Sequence, residues 1–161
     1  MNRSSTATWF LSLAVGSAIG FQGGTSQGHT SVKPDALVWK STDIFPSVAE
    51  NATLVGDPHQ PGDFTIRVRT SGQYKVPPYS QAEVENVTVL SGTLYVGFGP
   101  TVTTSSAEVL KAGGFISINP GTVHYWWTEE ASVVQFHGNG CLQPIYVGQT
   151  APPIPCRASA H

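Results

Sequence analysis

The chain has 161 residues, 40% of them hydrophobic and only 11% charged, with 17 Gly, 12 Pro and a formal net charge of −2. That length suits a single domain, so many chain breakers exclude a helical bundle or coiled coil, and 4 Trp, 5 Tyr and 7 Phe argue against disorder. Its 8 basic residues are spread thinly and leave no electrostatic footprint for nucleic acid.

The first segment reads apart from that domain. Arg3 precedes an apolar run from Trp9 to Ile19, and Gly16, Ala18 and Gly20 supply small residues for a cleavage site. The run is shorter than the roughly 20 apolar residues that a membrane span needs. Residues 1–20 are therefore expected to be a removed signal peptide and 21–34 a flexible lead-in, followed by the folded domain at 35–148 and a Pro-rich tail at 149–161. The expected destination is periplasmic or extracellular, with no membrane span in the mature chain. A disordered or membrane-tethering N-terminus is the alternative.

From Asp35 onward, period-2 alternation dominates. Phe64, Ile66 and Val68 share one face of a predicted strand, and Thr65, Arg67 and Arg69 the other. The two arginines are either the wet face of that strand or a grip for an anionic ligand. Further strands are predicted at Glu85–Leu90, Thr93–Phe98, Ala107–Lys111, Phe115–Ile118, His124–Thr128, Val133–His137 and Ile145–Val147. Turn signals separate them, among them Ser91-Gly92, Gly113-Gly114 and Asn119-Pro120-Gly121. Short strands at this spacing, without a helix-length amphipathic run, predict an all-β sandwich or barrel.

Adjacent residues on a strand point oppositely, so one of Trp126 and Trp127 should be core. The other is expected to pack at an edge, stack on a sugar or meet a partner subunit. Cys141 and Cys156 are the chain's 2 cysteines. In an oxidising compartment a bridge between them would tie the tail to the last strand, worth up to about 3 kcal/mol. Two separate thiols are the other possibility.

Two segments carry motif spacing. Gly72 is followed after six residues by Tyr79-Ser80-Gln81, then after three by Glu85 and after six more by Gly92. Gly113 is followed after five residues by Asn119-Pro120-Gly121, then after two by His124 and after three by Thr128. This order resembles the two motifs of the cupin superfamily, over roughly residues 38–148. The resemblance implies a cupin-type double-stranded β-helix, the jelly-roll barrel. In that family two His and a Glu of the first motif and a His of the second hold a divalent metal. Carried over, those positions are Tyr79, Gln81, Glu85 and His124, so two of the three histidines are replaced.

Parity is consistent with the match. If the first segment is extended, Tyr79, Gln81, Glu85, Val87 and Val89 share a face, and its apolar members should turn it inward. The expected pocket is then Tyr79, Gln81, Glu85, His124, Trp126 and, from the alternation Val133, Gln135, His137, also His137. Glu85 and His124 are the candidate catalytic pair. Either they are a buried acid–imidazole bond that fixes two strands, or Glu85, His124, Gln81 and Tyr79 form a weak site for iron, manganese, zinc or copper. Three functions follow from the resemblance. One is an exported module binding a small polar, carbohydrate-like or aromatic ligand in the barrel. The others are a metal-dependent enzyme of dioxygenase, isomerase or decarboxylase type, and a structural jelly roll. A homodimer through edge strands is a further expectation.

Overall fold

The computed structural model describes residues 28–46 and 48–149. The expected signal segment and the tail with Cys156 lie outside the described residues. Among the described residues eleven strands follow one another: β1 (Lys40–Ser41), β2 (Glu50–Val55), β3 (Asp63–Ser71), β4 (Tyr74–Ser80), β5 (Glu85–Ser91), β6 (Thr93–Phe98), β7 (Glu108–Lys111), β8 (Phe115–Ile118), β9 (His124–Thr128), β10 (Ala131–Asn139) and β11 (Ile145–Tyr146). They form two antiparallel sheets, ordered β1-β2-β3-β10-β5-β8 and β11-β4-β9-β6-β7. Among the described residues no helix is long and apolar enough to cross a membrane.

Alternation decides which side chains enter the space between the sheets. Phe64, Ile66 and Val68 of β3, Val87 and Val89 of β5, Leu94 and Val96 of β6, and Val134 and Phe136 of β10 are buried in one cluster. Arg67 and Arg69 take the opposite face of β3 and are already engaged. Arg69 Nε lies 2.7 Å from Glu50 Oε2 and its guanidinium sits 4.4 Å from the Trp39 ring centre, while Arg67 Nε donates to Gln135 Oε1 at 3.2 Å. They are the polar outer face of the six-stranded sheet.

Two features position the site. In β4 the register slips: Val76 pairs with Trp126 but Tyr79 pairs with His124, so β4 uses one residue more than β9 over this stretch. Pro77 and Pro78 fill this bulge, where a missing N–H removes no ladder bond. The slip keeps Tyr79 facing inward after Tyr74 and Val76. The chain then crosses between sheets after Ser80, because β4 belongs to one sheet and β5 to the other. Tyr79 and Glu85 therefore meet across the barrel from opposite sheets, instead of sharing a face of one extended strand.

Candidate functional site

The interior brings together five of the six residues that sequence spacing nominated. Tyr79, Gln81, Glu85, His124 and Trp126 are all buried. The Trp126 Nε1–H donates to Tyr79 Oη at 3.2 Å, and Tyr79 Oη donates to Glu85 Oε1 at 3.0 Å. His124 Nε2 lies 3.3 Å from the same Glu85 oxygen, and His124 Nδ1 lies 2.9 Å from the Thr122 carbonyl. A carbonyl only accepts, so Nδ1 carries a proton. Nε2 is thereby the ring nitrogen turned to Glu85. Burial, and next the Glu85 charge, push the Tyr79 phenol well above its ordinary pKa, so it stays a neutral donor.

The space around this chain of bonds is filled by rings. Phe45 enters from the turn between β1 and β2 and packs at 5.4 Å from Trp126, 5.1 Å from Phe136 and 6.1 Å from Tyr79. Its turn is held at both ends. Thr42 Oγ1 accepts from the Ile44 amide at 3.2 Å, and Tyr74 Oη donates to the Pro46 carbonyl at 2.6 Å. Tyr79 itself lies 4.2 Å from the His124 ring, centre to centre. Beside them, the Gln81 amide is buried and has no hydrogen-bond partner among the described residues. It borders a pocket of only about 10 Å³, the size of one water.

These residues do not fit a divalent metal. Among the described residues no three His, Cys, Asp or Glu side chains are grouped to hold one. The imidazole nitrogen that would coordinate is turned to Glu85, and the Tyr79 phenol resists the deprotonation that ligation requires.

His137 departs from the sequence expectation. Ser132, Val134 and Phe136 of β10 are its inward residues. His137 therefore lies on the outer face, its ring stacked 6.3 Å from Phe115, where it lines a separate pocket of about 450 Å³ with Asp63, Glu83 and Asn86. Alternation was the right signal, but Val133 and Gln135 mark the outward set. Cys141 is buried; its expected partner Cys156 lies outside the described residues.

A larger concavity lies on the outer face of the five-stranded sheet. It is a cleft of about 600 Å³ bounded by Gln73, Lys75 and Pro77 of the β4 side, by Tyr125, Trp127 and Glu129, and by Val102 and Thr104 of the β6–β7 connection. Trp126 faces inward, so its neighbours Tyr125 and Trp127 take the opposite face of the strand, where they are nevertheless buried, at 1% and 8% exposure. Trp127 stacks on Tyr95 at 5.0 Å with 11° between planes, and on Tyr125 at 6.2 Å and 14°. Tyr125 Oη donates to the Thr103 carbonyl at 2.9 Å and accepts from the Thr103 amide at 2.6 Å, which pins the connection over the sheet. Opposite Tyr125 in the ladder stands Gly97, where any Cβ would run into the tyrosine ring.

This cleft was not nominated from sequence, apart from the outward indole. Tyr125 was readable from the same alternation that sorts Trp126 from Trp127. Tyr95 was not, because only the β6–β9 register sets it beside Trp127.

No protein-family model and no curated protein matches the chain. Solved structures do. A candidate acetylacetone dioxygenase from Methylibium petroleiphilum matches with a TM-score of 0.61 at 16% identity, covering 79% of this chain and 86% of that one. A RmlC-like cupin from Shewanella frigidimarina gives 0.55 at 11% identity, over 70% and 90% of the two chains. The Cnp3 cupin domain of Schizosaccharomyces pombe gives 0.53 at 14% identity, over 68% and 73%. At these identities the likeness is one of fold.

Proposed function

We propose that this chain, which has the cupin fold, is a non-catalytic module that binds a small molecule on its outer face and not in its barrel. The observation that carries this reading is the closed interior. Tyr79, Glu85, His124 and Trp126 satisfy one another, and Phe45 fills the remaining space. A fold of this kind hosts many chemistries, so function has to be argued from the site. Among the described residues this acid–base pair is buried and the void that borders Glu85 is only about 10 Å³, which supports reading it as a structural bond. The outer cleft, by contrast, has the roughly 300–1,000 Å³ and the mixed apolar and polar lining of small-molecule sites.

Elemental analysis of the untagged protein tests the reading. After incubation with excess iron, manganese, zinc or copper and desalting, metal should stay below about a tenth of an equivalent per chain. Near-stoichiometric metal that disappears in Glu85→Gln would overturn it and favour the metalloenzyme.

Export belongs to the same proposal, supported by the apolar run from Trp9 to Ile19 behind Arg3. Under export, Cys141 and Cys156 are joined. Mass spectrometry of secreted material should find a new N-terminus near residue 20 and a mass two hydrogens below that of the dithiol. An intact Met1 in the secreted protein would contradict it.

A further inference from the structure

We propose that the barrel holds one long-lived internal water at the end of β4, accepting from the Gln81 side-chain amide and donating to Glu85 Oε2. The site is separate from the outer cleft and does not depend on what binds there.

Three polar atoms at this place lack a partner of their own. Gln81 is 5% exposed, and neither its Nε2 nor its Oε1 has a hydrogen bond among the described residues. Glu85 is 3% exposed. Its Oε1 is met by Tyr79 Oη at 3.0 Å and by His124 Nε2 at 3.3 Å, whereas Oε2 is met only by that same Tyr79 hydroxyl, at 3.3 Å. A phenol has one proton, so while it serves Oε1 it does not serve Oε2.

Gln81 and Glu85 both border the void of about 10 Å³, which is room for a single water. Burying an amide without a partner is unfavourable, yet Gln81 is held inside. Its backbone is fixed where the Gly121 amide donates to the Gln81 carbonyl at 2.8 Å. Cys141 and Leu142, both buried, close the void from a segment that is itself anchored. The Leu142 amide donates to the Pro58 carbonyl at 2.8 Å, and the Gly140 amide to the Gly62 carbonyl at 2.9 Å.

The polar groups around the void select its occupant. The guest has to accept from an amide N–H and donate to a carboxylate, within the volume of one heavy atom. A metal or ammonium cation has no lone pair to offer the amide proton. An anion meets the carboxylates of Glu85 and of Glu83, which is exposed at the outer wall. An apolar guest leaves all three atoms unpaired. Water donates and accepts at once, and buried waters make about three hydrogen bonds. The residues that do not fit a divalent metal thus hold a neutral molecule instead.

The test is oxygen-17 relaxation dispersion of water, on the untagged protein and on Gln81→Met, which keeps the bulk of the side chain without its amide. The dispersion amplitude counts long-held waters, and it should fall by one water in the variant. Losing a water-paired amide also strands Glu85 Oε2, so the unfolding constant should rise about tenfold. A dry amide predicts the reverse: an unchanged amplitude, and a variant more stable than the parent because an unpaired polar group is gone. An unchanged amplitude overturns the inference whatever the stability does. If Gln81→Met fails to fold, the parent decides. Its Gln81 side-chain N–H protons should show rotating-frame cross-relaxation with water, opposite in sign to proton exchange, and a spectrum without that peak would overturn the inference too.

Discussion

Replacing Tyr79 by Phe isolates the interior hydrogen bonds from the packing around them. The ring and its contacts with Phe45 and His124 stay, and only the hydroxyl is lost. That hydroxyl donates to Glu85 at 3.0 Å and accepts from Trp126 at 3.2 Å, in a site where Tyr79 is 0% exposed. A hydrogen bond to a charged group contributes about 1.5–3 kcal/mol, and a buried indole N–H left without an acceptor adds a penalty of about 1–3 kcal/mol. Part of this is recovered by relaxation, which places the net loss at about 3 kcal/mol. With a urea m-value of about 1–3 kcal/mol/M, the unfolding midpoint should fall by roughly 1–3 M at unchanged m. Tyr146→Phe is the control, since it makes the same chemical change on a half-buried ring 5.9 Å from Tyr79. A Tyr79→Phe loss below about 0.5 kcal/mol, or one no larger than the control's, would refute the idea that this chain of bonds holds the barrel closed.

Alkaline stability follows from the same burial. Desolvation, then the Glu85 charge, pushes Tyr146 up to about 12, and Tyr74 and Tyr79 are raised too. The unfolded chain ionises first, so this stability is complete below about pH 10 and is lost as pH rises through the folded value. Urea midpoints should therefore drop between about pH 10 and 12, and Tyr146→Phe should flatten the slope; a level profile would contradict the burial argument. The double substitution Tyr79→His with Gln81→His removes the phenol and adds two imidazoles beside Glu85 and His124. It should retain close to one equivalent of nickel or cobalt after desalting, and a variant as metal-poor as the parent would show that Phe45 or the Glu85–His124 bond still bars the ion. Gly97→Ala should displace the Tyr125 ring from β6 and cost about 1–3 kcal/mol, as overpacking does. An unshifted melting temperature would mean that Tyr125 moves freely off the sheet.

Strands with clear alternation and a glycine turn at one end were legible residue by residue. β6, β8 and β9 stand at the positions expected, and β10 extends its predicted core by two residues at each end. β2 and β4 were not assigned. Glu50 to Val55 alternates poorly, and Pro77-Pro78 reads as a break until the ladder shows them seated in a bulge. The spacing of Tyr79, Glu85 and His124 located the interior cluster, since a motif fixes which residues converge even when two of its members have changed. Its closure was illegible. Phe45 arrives from a turn with no periodic signature, and the direction of its ring depends on Thr42 and Tyr74 capturing that turn. The cleft depended on register, which a single sequence does not carry.

β9 is buried along its whole length, with the His124 and Trp126 bonds beneath it and the Tyr125–Trp127 stack above. Its amides also sit mid-sheet, laddered to β4 on one side and β6 on the other. Such protons reach solvent deuterium only when the whole domain opens. Their exchange rate is thus a direct gauge of global stability, readable without denaturant. A guest in the cleft would register there as well: binding the native state alone slows whole-domain opening by mass action. The deepest amides of the protein would then report on a molecule resting on its surface.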